Sequence, residues 1–158
     1  MNKMEYHKIE KLTEIQVAYF AGLLDGEGCV RIGKFRNSSG VTRYRAYIVI
    51  AMTDVRPINW LVNTIGGKKY IDKKKRFGNS KICFCWTLNA KEGSTILRRT
   101  LPYLLVKSEQ SRNFIAFAET LTGRGGRGIN KPISQSLLKT RAQMFLVSQS
   151  LNQKGKTT

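Results

Sequence analysis

Residues 13–28, TEIQVAYFAGLLDGEG, constrain the fold more than any other stretch. Thr13 and Gln16 have capping-box spacing, and Ile15, Val17, Ala18, Tyr19, Phe20, Leu23 and Leu24 follow, so the segment reads as a helix. Its apolar residues run nearly all round, which requires burial on more than one side. Gly26 and Gly28 are expected to terminate it. Asp25 and Glu27 flank Gly26 at that end, although the chain has only 10 acidic residues against 28 basic ones. Two carboxylates closing a buried helix demand a chemical reason.

The rest of the chain supplies partners for that helix. Residues 29–36, CVRIGKFR, read as a strand, NSSG at 37–40 as a turn, and 41–52, VTRYRAYIVIAM, as a longer strand. Alternation puts Ala46, Ile48, Ile50 and Met52 on one face of the second strand and Arg43, Arg45, Tyr47 and Val49 on the other. Thr53 or Asp54 caps a short helix through Pro57, Trp60, Leu61, Val62 and Ile65, which Gly66-Gly67 ends. Residues 68–74 and 81–88 form a hairpin around the loop KRFGNS. Ile82, Phe84, Trp86 and Leu88 share one face of its second strand. Helices are expected at about 91–99, 108–122 and 133–150, with Pro102 between the first two and GRGGRG at 123–128 as a connector. That connector's amides and arginines are also chemically suited to a phosphate. The order α-β-β-α-β-β-α, followed by C-terminal helices, predicts an α+β layer fold with a curved antiparallel four-stranded sheet. The 158 residues are read as one domain, 1–158, with its core at about 13–150 and flexible tails at 1–8 and 152–158.

Composition narrows the partners. A formal charge of +18 repels itself in a compact fold and favours a polyanion, nucleic acid first. No membrane partner is expected, because no apolar run reaches the roughly 18 residues of a span and no basic amphipathic helix stands out. The polar N-terminus is unlike a secretory signal, so the default location is intracellular. Cys29, Cys83 and Cys85 are too few and too unevenly spaced for a disulfide framework, and with His7 as the one histidine a structural zinc site is not expected. They read as small, half-buried strand residues. The open sheet face would carry cations interleaved with aromatics, Arg31, Arg43, Arg45, Lys74 and Lys81 with Tyr47 and Tyr70, and Lys34 and Arg36 are further candidate DNA contacts. A sheet of this kind fits the DNA major groove.

On the first helix, Ala18, Ala21, Gly22 and Asp25 are spaced i, i+3, i+4 and i+7 and form a stripe of small residues. The stripe suits a close contact, either with a helix of the same subunit or with a second copy across a two-fold axis. The second arrangement would bring two Glu27 side chains together, a repulsion that a divalent cation relieves.

FAGLLDGEG, residues 20–28, resembles the LAGLIDADG motif of the homing endonucleases of that name. Ala21, Gly22, Leu23, Asp25 and Gly28 match; Phe20, Leu24, Gly26 and Glu27 depart conservatively. The resemblance covers roughly residues 13–122. It implies a site-specific DNA endonuclease that hydrolyses phosphodiesters with Mg²⁺, Mn²⁺ being an alternative. Glu27 would be the metal-binding carboxylate and the Gly26 carbonyl a second ligand, while Asp25 would belong to the helix end and dimer contact. LPYLLVK, 101–107, matches the stretch before the family's active-site lysine and nominates Lys107. The family's frequent glutamine at the end of the second strand is missing from IAMTDVRP, 50–57. Thr53 or Asp54 is left to orient water there, and Arg56 stands as the arginine counterpart.

Members carry one motif and dimerise, or two motifs in one chain. FAETLTGRGG, 117–126, only faintly echoes the first copy, with no acid after Gly123, and about thirty residues remain. A homodimer with a nearly palindromic double-stranded DNA target is therefore expected. An intron RNA maturase, with RNA as partner, and a non-catalytic nucleic-acid-binding regulator are the rival readings of the same fold.

Overall fold

In a computed structural model the structure describes residues 8–38, 40–72, 81–121 and 133–153. Helix α1 (Glu14–Glu27) opens on the expected capping box: Thr13 Oγ1 accepts from the Gln16 amide, and Gln16 Oε1 accepts from the Thr13 amide. It does not stop at Gly26. The helix continues to Glu27, with Gly28 as its C-cap, so Gly26 lies inside the last turn.

Gly28 begins strand β1 (Gly28–Arg36) with no intervening loop. A Cβ there would sit 2.5 Å from the Leu24 carbonyl oxygen, so only glycine lets the strand leave the helix this closely. Strand β2 (Thr42–Met52) follows, then helix α2 (Val55–Thr64), capped by the Asp54 side chain rather than by Thr53. Strands β3 (Lys68–Asp72) and β4 (Cys83–Asn89) lead to helix α3 (Ala90–Thr100), capped by Asn89. A 3₁₀ turn at Leu101–Tyr103, with Pro102 in its first turn, precedes α4 (Ser108–Glu119), and α5 is Gln135–Leu151. Ile82 lies just before β4 and is exposed, not part of the apolar face. Lys74, the loop 75–80 and GRGGRG fall outside the described residues.

The four strands form one antiparallel sheet in the order β1-β2-β4-β3, the curved α+β arrangement expected. The register opposes Gly28 to Ile50, Arg31 to Tyr47, Val49 to Thr87 and Tyr70 to Cys85. Helices bury one face. Val30, Ile32, Ala46, Ile48, Ile50, Trp86 and Leu88 meet Val17, Phe20, Ala21 and Leu24 of α1, with Ile96, Leu97, Phe114 and Phe117 behind. Each large apolar side chain sealed in this core contributes roughly 1.5–3 kcal/mol. Trp86 lies edge-on to Phe20 at 6.0 Å, and its indole N–H donates to the Gly66 carbonyl at 2.6 Å. Gly67, at φ +84°, lets the chain pass that indole: a Cβ there would lie 2.8 Å from Nε1 and 2.7 Å from the Thr87 carbonyl oxygen.

Helix α5 closes the outer edge of the sheet. The buried Ile32 amide donates to Ser148 Oγ at 2.9 Å, and Asn152 donates to the Val30 carbonyl at 3.1 Å. Unpaired groups of edge strand β1 thus find partners on a helix. Arg141, buried on the same helix, donates to the Thr120 hydroxyl and carbonyl at the C-cap of α4 and lies over the Phe117 ring. The carbonyls at a helix C-terminus favour a cation there.

Candidate functional site

The two carboxylates of the motif face different surroundings. Residues two apart on a helix are about 200° apart around its axis. Asp25 turns toward the segment before α4 and accepts three backbone N–H groups: Leu105 at 2.7 Å, Val106 at 3.2 Å and Lys107 at 2.9 Å. Lys107 is the N-cap residue of α4 but makes no side-chain cap, so the Asp25 carboxylate supplies negative charge at that helix start. This bridge spans 80 residues of chain and fixes Lys107 beside the end of α1. Glu27, by contrast, is exposed, as is Gly26, where a Cβ would meet nothing within 4 Å.

The register assembles the rest of this end. Beyond the Gly28–Ile50 pair, β2 runs on to Met52, which places the corner holding Thr53, Asp54 and Arg56 at the same end of the sheet as Glu27. Arg56 is exposed and paired with Asp54. The Arg56 guanidinium, then its own backbone N–H, hold the Asp54 carboxyl at about 2, against an ordinary 3.8. Asp54 therefore raises the Arg56 pKa in turn. The structure thus brings Lys107 to the motif helix directly, and Arg56 to the same end of the sheet.

The donor set suits a hard cation. Glu27 offers carboxylate oxygens and Gly26 a carbonyl in the last helical turn, where the helix presents its negative pole. Among the described residues no three His, Cys, Asp or Glu side chains cluster.

The predicted small stripe divides. Ala21 is buried in the core, and Asp25 is engaged by the 105–107 segment. Ala18 and Gly22 remain exposed, and a Cβ at Gly22 would meet nothing within 4 Å. Ile15, 83% exposed, and Tyr19 complete this outward face. Leu105, 90% exposed, and Val106 extend it at the Asp25 end.

The open sheet face carries Arg31 and Phe35 from β1, Arg43, Arg45, Tyr47 and Val49 from β2, Cys85 and Thr87 from β4, and Lys68 and Tyr70 from β3. Lys34 and Arg36 are exposed but fall on the opposite side of β1, in step with Val30 and Ile32. Lys81 is exposed ahead of β4. A groove of about 790 Å³ runs over this face, lined by Arg45, Tyr47, Val49, Lys68, Tyr70 and Thr87 among others. Burial, and then the neighbouring Cys83, push the Cys85 thiol up; burial and Cys85 push the Tyr70 phenol up. Sequence reasoning missed Phe35, whose ring holds Arg45; alternation in CVRIGKFR already put it on the face of Arg31.

A scan against protein-family models finds no match, and neither does a comparison with curated protein sequences. Solved structures do match. The homing endonuclease I-CvuI, in complex with its target in the presence of calcium, superposes with a TM-score of 0.68 at 19% identity, over 97% of this chain and 88% of that one. The archaeal intron-encoded homing endonuclease I-Vdi141I, complexed with DNA, gives 0.70 at 14% identity, over 92% and 90%. The LAGLIDADG homing endonuclease I-SmaMI, bound to cleaved DNA, gives 0.52 at 22% identity, and there this chain spans only 49% of the other. The fold of this chain is that of the LAGLIDADG homing endonucleases. Among its described residues, no helix is long and apolar enough to cross a membrane.

Proposed function

We propose that the protein is a homodimeric, metal-dependent endonuclease that cuts both strands of a long, nearly palindromic DNA target. The observation that carries this reading is the division of labour at the end of α1. Asp25 is consumed in positioning Lys107, while Glu27 is left exposed beside the exposed Gly26.

In this reading Glu27 and the Gly26 carbonyl hold Mg²⁺. When bound, such an ion polarises a phosphodiester and lowers the pKa of water. The chain's own residues do the rest. The open sheet face lies in the major groove and fixes the register of the duplex. Lys107, anchored through its backbone, places a cation where negative charge grows on the phosphorus oxygens. Arg56 adds a second cation from the β2–α2 corner. Two protomers meet along Ile15, Ala18, Tyr19 and Gly22, whose small residues allow close helix approach. Such a pair presents the same reading surface twice, hence the near-palindrome. The nuclease works wherever the DNA of its host resides, inside the cell.

The test is selection of cleaved duplexes from a randomised library with Mg²⁺, run beside Glu27→Gln. Wild-type protein cuts only with the divalent ion; Glu27→Gln binds the selected duplex in Ca²⁺ but leaves it intact. Cutting by pure Glu27→Gln protein refutes the metal assignment. Gly22→Leu tests the dimer: the protomer has room for the side chain, so folding persists while light scattering reports a monomer. A Gly22→Leu dimer of undiminished stability would refute the seam.

A further inference from the structure

Arg31, Tyr47, Arg45 and Phe35 form a continuous stack across β1 and β2. The Arg31 guanidinium lies 5.1 Å from the centre of the Tyr47 ring. The Arg45 guanidinium lies 5.6 Å from the same ring and 5.1 Å from that of Phe35. Gly33 makes room for it: a Cβ there would be 3.1 Å from Tyr47 Cε1, so the Tyr47 ring lies close over the bare backbone of β1. Among the described residues no carboxylate pairs with Arg31 or Arg45, and both arginines are exposed on the face that lines the groove. The two charges are therefore held by rings and left free to donate.

Holding an arginine between rings restricts its rotamers before any partner arrives. A phosphate can also take such a fork, but every nucleotide offers one, so a fixed fork gains no sequence preference from it. A base edge gains much. Guanine alone presents two acceptors, O6 and N7, side by side in the major groove, and a guanidinium fork meets both. We infer that Arg31 and Arg45 are specificity-determining residues that each read a guanine in the half-target under β1 and β2, with Tyr47 and Phe35 as positioning residues for the forks. The inference rests on the DNA-cleaving reading and adds to it which bases this part of the sheet selects.

The experiment is binding selection of the full-length protein on a randomised duplex library in Ca²⁺, repeated with single variants whose folding is checked by circular dichroism. Wild-type protein enriches guanine at two positions in each half-site. Arg31→Ala relaxes one position and Arg45→Ala the other, each by about 5- to 150-fold in guanine preference. Phe35→Leu and Tyr47→Leu weaken the same preferences by more than they weaken affinity for unrelated duplex, and Tyr47→Phe restores them. Uniform weakening on all sequences by both arginine variants, with a salt slope reduced by about 1, makes these phosphate contacts and overturns the inference alone. A Tyr47→Phe as damaging as Tyr47→Leu assigns the effect to the hydroxyl and also overturns it. Failure of the wild-type protein to bind any duplex sinks the underlying functional reading as well.

Discussion

Replacing Asp25 isolates what the first motif carboxylate does. Its oxygens accept from the amides of Leu105, Val106 and Lys107 at 2.7, 3.2 and 2.9 Å. Leu105 and Val106 have exposed side chains, so water reaches this segment and each bond is worth about 0.5–1.5 kcal/mol net rather than the larger value of a sealed ionic one. The 3.2 Å bond belongs at the low end. Negative charge at the start of α4 adds about 0.3–1 kcal/mol. Asp25→Ala should therefore release this segment by about 2–4.5 kcal/mol, which is roughly 30- to 1,600-fold faster exchange at 1.4 kcal/mol per tenfold. Amide hydrogen exchange reads it residue by residue: the acceleration should fall on 105–107 and the first turn of α4, and leave Ile48 and Ile50 at the centre of the sheet little changed. Asp25→Asn keeps one acceptor oxygen and should fall between. Buried Leu104 is the competing anchor. If it alone held the segment, Asp25→Ala would leave the three amides as protected as before, and the clamp would be refuted.

Ser148→Ala strips the buried Ile32 amide of its acceptor, so stability should drop by about 1–3 kcal/mol. Thermal unfolding should register that as about 2–12 °C, while exposed Ser150→Ala moves it little. Asp54 should titrate with a midpoint of about 2 by carboxyl NMR, and Arg56→Gln should return it toward 3.8. Because its folded pKa is depressed, the contribution of Asp54 to stability is present above about pH 4 and lost as the pH falls through about 2.

Local signals carried the architecture. The Thr13–Gln16 box, the alternation of VTRYRAYIVIAM and the caps at Asp54 and Gly66-Gly67 each act within a few residues, and the elements stand where these place them. What escaped notice acts across the chain. Asp25 finds its donors 80 residues on, and Ser148 reaches back 116 residues to the edge of β1. Arg99 donates to the carbonyls of Ile9, Glu10 and Leu12, contacts no periodicity announces. Ala21 and Gly22 look alike as small residues of one stripe, yet one is core and the other surface, because the edge of the buried face of the helix falls between them. Charge counting was blind in the same way. Arg99 and Arg141 satisfy backbone carbonyls at chain turns and helix ends, whereas Arg31 and Arg45 stack on rings over an open groove. A net charge of +18 cannot distinguish these uses.

The interval of two residues between Asp25 and Glu27 gains its meaning from this geometry. Had the acids been three or four apart, both would lie on one side of α1, where they would repel each other and compete for the 105–107 amides. At two apart, one turns toward those amides while the other stays free. Gly26 lies between them on the exposed last turn, where a Cβ would meet nothing within 4 Å. Gly28 next removes the clash with Leu24 that would push the strand away and carry Glu27 off the end of the sheet. Acid, exposed spacer, acid, glycine is thus one device: an anchor for the α4 segment, a free carboxylate and a tight exit into the sheet, in four consecutive residues.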